Sequence, residues 1–545
     1  MRPRDIVQKG PVEHWIAGRE VMAAYRRAGS AGPGTYACCK HMLATVERVP
    51  DAGDNDRVNV ADLLGAAAKR LPDKAVLAHG TGNTSYRELD LAADGVAARL
   101  AELAVGAGDR IAVAMPNVPR FAAAYFGALR AGGVVVPLNT SLTEPEIRAI
   151  IGDSGASVLV GSDDFGSLAA GAVSDFVPHV ILDEDRTSDA APSPITIEED
   201  DLALLAYTSG TTGEPKGVML THGNLLANLN QQMEVPLDRV REEDVVLLAL
   251  PLFHIFGLNV VLGLTVMSAA TAVLLDRFEP AAALRAVEDH GVTVLFGAPP
   301  MFIAWANLPG VENYDLSKVR LAVSGAAPLA PEALMSFHAA TGVEIFEGYG
   351  LTETAPTLTS NRMAEHARPG SVGKPLPGVE IRLVDDAMND VELGDPGEIV
   401  VRGPNVFKGY WNRQEETERA FAGGWFHTGD VGVFDEDGYL YVVDRKRDLI
   451  IVSGFNVFPA EVENALVANP AVAEAAAIGV PHPYTGEAVR AYVTLAPGAA
   501  TSEEALQADV RSRLARFKCP ESIEIVEQLP HLLTGKVLRR ALREV

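Results

Sequence analysis

Cysteine is nearly absent from this chain of 545 residues: Cys38, Cys39 and Cys519 are all it has. Three thiols make no disulfide framework, and the adjacent pair lacks metal-ligand spacing, so a reducing compartment is expected, the cytoplasm by default. Basic residues are also in short supply, 46 lysines and arginines against 72 aspartates and glutamates. The resulting net charge of −26 repels nucleic-acid phosphates and anionic membrane surfaces, which argues against a nucleic-acid partner. Any anion site must therefore show as a local exception. The first residues, Met1-Arg-Pro-Arg-Asp-Ile-Val7, lack the apolar stretch and small-residue cleavage site of a secretion signal, so secretion is not expected. Long uncharged runs are scarce too. Ile255 to Leu275 is long enough to span a bilayer, for which about 20 residues suffice. Asn259, Thr265, Ser268 and Thr271 interrupt it, Gly257 and Gly263 weaken a helix, and Asp276 and Arg277 close it. A buried helix followed by a buried strand is expected there, with no stable membrane span and room left for peripheral membrane contact.

What is present describes a globular protein, 48% hydrophobic and 22% charged with both signs mixed. The length calls for a large body and at least one further domain. Residues 1–56 read as an N-terminal extension without a legible role, with a helix around Val12 to Arg27 and a loop at Gly29 to Gly34. From Val58 onward, apolar strands such as Arg110 to Met115 and Gly133 to Pro137 alternate with helices, the pattern of a layered α/β fold. Thr143-Glu-Pro-Glu146 reads as a capping box with proline in the first turn, and Ile147, Ile150 and Ile151 supply the buried face. A second helix runs from Pro331 to about Thr341 and stops at Gly342. The acidic stretch Asp183 to Asp201 reads as a surface loop. Beyond Asp444 the units shorten. Pro459 opens a helix with Val462 and Leu466 on one face. Val489, Ala491, Val493 and Leu495 alternate with Arg490, Tyr492 and Thr494 as a half-buried strand, and Thr501 to Glu504 caps a helix carrying Leu506, Val510 and Leu514. The expected division is 1–56, a nucleotide-binding body over 57–444, and a small α/β domain over 445–545.

The sharpest chemical signal is Tyr207-Thr-Ser-Gly-Thr-Thr-Gly-Glu-Pro-Lys-Gly217, entered from the apolar run Leu202 to Ala206. Glycines let backbone N–H groups converge on an anion, hydroxyls add donors, and Lys216 adds charge, so the segment suits phosphate. It fails the Walker A spacing because Pro215 stands where glycine is required. By composition alone it is equally a Ser/Thr/Gly surface loop. Gly348-Tyr-Gly-Leu-Thr-Glu353 sets an aromatic ring between glycines, open to a planar base, with a hydroxyl and a carboxylate close behind. Those two groups suit a phosphate oxygen and its magnesium, although the segment alone could be an ordinary strand end. Thr428-Gly-Asp430 reads as a tight turn whose carboxylate could accept ribose hydroxyls. Asp444-Arg-Lys-Arg-Asp448 is a basic patch that alone would be a solvated charge run, and Gly535-Lys536 near the end would alone mean nothing.

In this order along one chain, these segments resemble the adenylate-forming superfamily of acyl-CoA synthetases, coumarate ligases, luciferases and peptide-synthetase adenylation domains. The resemblance runs from about Val58 to the C-terminus and looks closest to bacterial fatty acyl-CoA ligases. It implies a large layered α/β body with a small, mobile α/β C-terminal domain, and ATP, Mg2+ and coenzyme A as the reactants and cofactor. It also implies that Thr208, Ser209, Gly210, Thr211, Thr212, Gly213 and Lys216 hold the β- and γ-phosphates. Gly325, Ala326, Glu347, Gly348, Tyr349 and Thr352 would border the nucleotide, and Asp430 and Arg445 would hold the ribose. Glu353 would meet magnesium, and Lys536 would reach the substrate carboxylate and α-phosphate. Arg447 matches the hinge on which the small domain turns between half-reactions. Gly454 would line the pantetheine path, with a turn before the Pro459 helix as its plainer role. Arg277 matches a basic position used for CoA phosphate, and a salt-bridged surface arginine reads equally well. Ile451 and Ser453 replace lysines of coumarate ligases, which argues against that activity.

His254, in Pro251-Leu-Phe-His-Ile-Phe-Gly257, matches a histidine at the family's carboxylate site, although an isolated histidine there would more often be a satisfied core residue. Phe256, Asn259, Gly297 and Ala298, with Gly325, would line an apolar acyl pocket. No basic residue stands among them to pair a second carboxylate, which disfavours malonate. The expected activity is thioester formation between coenzyme A and a monocarboxylic acid, a medium or long fatty acid first and an aryl acid second. The alternative is an enzyme loading a separate carrier-protein thiol; the sequence shows no carrier domain after Lys536 and no acidic partner for an amino group. A noncatalytic paralogue would be expected to have lost Lys536, Glu353 or Asp430, all of which are present. Oligomeric state is not legible.

Overall fold

The computed structural model describes residues 59–545 except 81, 176, 178, 183–194, 210–214, 328, 330, 365–366, 446–447, 453–454, 483–485, 515, 532–536 and 544–545. The N-terminal extension and most of the acidic loop from Asp183 lie outside the described residues. So do Gly210, Thr211, Thr212, Gly213, Arg447, Gly454 and Lys536.

The fold is mixed α/β, a large body followed by a small C-terminal domain. The first sheet has seven strands in the order Gly409–Tyr410, Pro215–Thr221, Leu202–Ser209, Val134–Pro137, Arg110–Ala114, Val158–Gly161 and His179–Leu182. Its inner strands read as unbroken apolar runs because helices cover both faces: all four residues of Val134–Pro137 are buried. The helix Glu144–Ser154 starts as its sequence predicts. The Glu146 carboxylate accepts the Thr143 N–H at 2.8 Å and its hydroxyl at 2.7 Å, and Ile147, Ile150 and Ile151 are buried. Pro331–Thr341 is helical too, and Gly342 follows at φ +73°, in the region open to glycine.

The second sheet positions the site. Its nine strands run Lys374–Pro375, Thr357–Ser360, Ile345–Gly350, Leu321–Ser324, Val294–Gly297, Val245–Leu248, Thr271–Leu274, Ala75–His79 and Gly82–Ser85. From Ile345–Gly350 to Ala75–His79 neighbouring strands are parallel, so their carboxyl ends emerge along one edge. In an open α/β sheet that edge is where ligands bind.

The uncharged run resolves as expected, a buried helical stretch followed by a strand. Phe256–Gly263 winds as a π-helix, continues through Leu264–Met267, and leads to the strand Thr271–Leu274. Every residue of the π-helical stretch is buried, and among the described residues no helix is long and apolar enough to cross a membrane. Gly257 is obligatory there, since a Cβ would sit 2.3 Å from the Pro251 carbonyl oxygen.

The small domain has its own sheet, Phe455–Val457, Ile450–Val452, Gly486–Leu495 and Val472–His482, with Ser522–Ile525 beside Gly486–Leu495. Val462, Leu466, Val489, Ala491, Val493, Leu506 and Val510 form its core. The helix Glu503–Arg513 is capped by Ser502 within the expected segment. One expectation is corrected here. Tyr492 is not on a solvated face but 2% exposed, because Leu529 and Leu542 of the C-terminal segment cover the second side of its strand with Ala476 and Ile478.

The body begins on a buried contact. His222, at the start of the helix His222–Met233, accepts the Val60 N–H on Nδ1 at 3.1 Å. Burial pushes its pKa down to about 4. Because the folded value is depressed, the associated stability is fully present above pH 6.5 and is lost as pH falls through 4. The shift predicts a loss of about 2 kcal/mol at pH 5. Replacing His222 with Asn, whose amide oxygen still accepts, is expected to flatten the fall in thermal midpoint between pH 7 and 5; an equally steep fall in the variant would refute the assignment.

Candidate active site

Gly325 and Ala326 follow Leu321–Ser324, Gly297 and Ala298 lie at and just after the end of Val294–Gly297, and Arg277 follows Thr271–Leu274. His254 stands in the loop after Val245–Leu248, and Glu347, Gly348 and Tyr349 end the strand Ile345–Gly350. All therefore gather at the carboxyl edge of the parallel strands.

The apolar members meet. The Phe256 ring lies 3.3 Å from where a Gly325 Cβ would stand and packs edge-on against Phe296, centroids 6.2 Å apart. A Cβ on Gly325 would also come within 3.8 Å of the Gly348 carbonyl, so a residue expected at the acyl pocket borders one expected at the nucleotide. Gly297 is crowded in turn by Phe302, 2.9 Å from its virtual Cβ. Ala326 has φ +76°, left-handed backbone in a non-glycine residue, a strain of the kind that collects at binding sites. Asn259 donates Nδ2 to the carbonyls of Leu225 at 3.2 Å and Ala355 at 2.8 Å, while its buried Oδ1 has no protein partner. His254 accepts the Phe256 N–H on Nδ1 at 3.2 Å, which places the proton on Nε2. Its ring edge is partly exposed, yet the surrounding burial holds its pKa down to about 4, so the imidazole is neutral at pH 7.

On the nucleotide side, Tyr349 Oη donates to Asp430 Oδ2 at 2.6 Å, tying the ring expected at adenine to the carboxylate expected at ribose. Asp430 is 4% exposed and faces Arg445 in strand register. The turn expected at Thr428-Gly-Asp430 is not seen. These residues lie inside the strand Phe426–Phe434, whose pairing on both edges leaves Gly429, at φ +71°, as the local irregularity. Of the basic patch, Lys446 and Arg447 lie outside the described residues, and its closing residue Asp448 is described. Asp448 is buried and pairs with Arg539 at 3.6 Å and Arg543 at 3.0 Å.

Thr208 and Lys216 face each other as partners of the antiparallel strands Leu202–Ser209 and Pro215–Thr221. Glu353, in the short helix Thr352–Thr354, accepts the Tyr410 hydroxyl at 2.9 Å. Lys216 pairs with Glu416 and lies 5.4 Å from the Tyr410 ring centroid. Tyr410 and Glu416 escape a reading by motif because they lie far away in sequence, and the only local hint is the aromatic pair after Gly409 that closes the edge of the sheet. Arg277 is exposed.

A family model described as AMP-binding enzyme matches residues 64–411, and one described as AMP-binding enzyme C-terminal domain matches residues 461–536. The chain belongs to the AMP-binding enzyme family. It is 36% identical over 525 residues to a long-chain-fatty-acid–CoA ligase of Bacillus subtilis (strain 168), spanning 88% of this chain and 93% of the relative. It is 40% identical over 478 residues to a feruloyl-CoA synthase of Amycolatopsis sp, spanning 87% and 96%. The crystal structure of ATP-bound MatB from Rhodopseudomonas palustris superposes with a TM-score of 0.82 at 35% identity, covering 89% of this chain and 98% of that one. As a member of the AMP-binding enzyme family, the chain is an ATP-dependent, AMP-forming acyl-CoA ligase.

Glu347 is a carboxyl strongly altered by this setting. It is 6% exposed, accepts the Gly370 N–H at 3.3 Å, and burial raises its pKa to about 7. Stability tied to a raised carboxyl is fully present below pH 4.5 and is lost as pH rises through 7, a penalty of about 3 kcal/mol at pH 8. Glu347→Gln keeps the acceptor and removes the charge, so its thermal midpoint is expected to exceed wild type by a margin that widens from pH 5 to pH 8. A margin constant with pH would show that Glu347 is ionised in the native state throughout.

Proposed function

We propose that the enzyme activates a monocarboxylic acid, a medium- or long-chain fatty acid in the first instance, and passes the acyl group to coenzyme A. The observation that carries this reading is the apolar wall of Phe256, Gly297, Ala298 and Gly325 beside a neutral His254, which offers no cation to a second carboxylate. The long-chain-fatty-acid–CoA ligase relative supports it. A second reading, a hydroxylated aryl acid, is favoured by the unpartnered Asn259 Oδ1, a buried acceptor that a substrate hydroxyl would satisfy, and by the feruloyl-CoA synthase relative. Transfer to a carrier-protein thiol is the alternative for the acceptor.

The chemistry follows from charge. A carboxylate resists attack by a thiol, so one of its oxygens first attacks the α-phosphorus of ATP and pyrophosphate leaves. The thiol of coenzyme A then attacks the acyl carbon and AMP leaves. Thr208 to Thr212 and Lys216 are assigned to the β- and γ-phosphates, Tyr349, Gly325 and Ala326 to adenine, and Asp430 and Arg445 to ribose. Lys536 is assigned to the α-phosphate and carboxylate oxygens, where negative charge gathers during adenylation. Glu353 suits magnesium: it is a hard oxygen donor, fixed by the Tyr410 hydroxyl close to Lys216. When bound, the ion would neutralise phosphate charge. His254, with its proton on Nε2, orients the acid, and Arg277 and Gly454 are assigned to coenzyme A. The division at 444/445 with a hinge at Arg447 lets one cavity exclude water in the first step and admit a long thiol in the second.

Lys536→Ala is expected to abolish pyrophosphate release while sparing thioester formation from supplied acyl adenylate; adenylation at near wild-type rate would remove Lys536 from that role. A screen of fatty and hydroxycinnamic acids by pyrophosphate release decides between the two substrate readings. Thioester formed on carrier protein and not on coenzyme A would overturn the acceptor.

A further inference from the structure

Lys216, assigned above to phosphate, already has an anionic partner. Its ammonium pairs with Glu416 Oε2, and the two side chains are 16% and 29% exposed. Glu416 belongs to the helix Gln414–Ala420, which follows the edge strand Gly409–Tyr410 paired to Pro215–Thr221. The Trp411 N–H donates to the Gly217 carbonyl at 2.8 Å, so this segment is fastened one residue from Lys216. The other Glu416 oxygen lies 3.8 Å from Arg413 Nε, and Arg413 is 3.7 Å from Asp153, which accepts the Tyr207 hydroxyl at 2.6 Å. Charges thus alternate from Asp153 through Arg413 and Glu416 to Lys216.

We propose that Glu416 is the resting counter-ion of Lys216 and that ATP binds by ion exchange, its β/γ-phosphates taking the ammonium from the carboxylate. The proposal rests on the assignment of Lys216 to phosphate. A shielded ammonium without a partner would lose hydration and gain nothing in return, and Glu416 gives it a partner and a fixed direction. The triphosphate carries more negative charge than one carboxylate and more acceptor oxygens, so exchange runs toward the nucleotide. Arg413 prevents the released Glu416 from becoming an uncompensated charge. In a chain of net charge −26, such a device keeps a cation available without leaving it bare. It also weakens nucleotide binding by what the pair is worth, about two- to fivefold for a half-shielded ion pair. AMP, which has no β- or γ-phosphate, escapes the competition.

The test is the dependence of pyrophosphate release on ATP at saturating acid in the charge-removing variants Glu416→Gln, Glu416→Ala and Glu416→Ser, with thermal midpoints to show which of them fold. The KM for ATP is expected to fall about two- to fivefold and to rise more steeply with added salt than in wild type. The KM for the acid and the inhibition constant for AMP should stay in place, which a general structural disturbance would not allow. A KM for ATP at or above the wild-type value in the variants that fold overturns the proposal. Lys216→Ala separates it from the assignment beneath it. If that change leaves the KM for ATP in place, the phosphate assignment fails; if it raises KM while the Glu416 variants do not lower it, the exchange alone fails.

Discussion

Everything in this molecule depends on the in-register parallel pairing of the strands from Ile345–Gly350 to Ala75–His79. Parallel strands must be covered on both faces, which is why their sequences are continuous apolar runs and why their connecting segments contain helices. The same pairing brings all their carboxyl ends to one edge. Residues far apart in the sequence, from His254 to Tyr349, are delivered to that edge by the pairing of the strands that carry or precede them.

That edge is shared closely. Gly325 is bordered by the Phe256 ring and the Gly348 carbonyl, so any side chain there would press on one or the other. Tyr349 and Asp430 come from different sheets and are joined by a hydrogen bond of 2.6 Å. Tyr410 and Glu416 reach Glu353 and Lys216 from a single edge segment. These contacts join segments of the two large sheets and of the four-stranded sheet that contains Phe426–Phe434.

Local chemistry was legible in the sequence. The capping box at Thr143, the stop at Gly342 and the burial of the uncharged run all follow from short-range rules, and each is seen. The motif residues were legible because they combine unusual residue types at close spacing. What escaped depends on long-range pairing. Asp430 looked like a turn residue because Gly429 suggests one, yet strands on both sides capture it. Tyr410 and Glu416 are ordinary residues in an ordinary edge segment until the sheet brings them to Lys216. Tyr492 read as exposed because alternation reports one covered face and is silent about a second cover arriving from the C-terminal segment.

That second cover has a consequence for how the small domain is assembled. Leu529 and Leu542 pack with Tyr492, and Tyr492 Oη donates to the Leu542 carbonyl at 3.3 Å. Leu529 and Leu542 thus belong to a structural layer of the small domain. Without that layer the sheet would keep one bare apolar face over Ala476, Ile478 and Tyr492. A chain cut before Leu529 would present that face to solvent and to proteases.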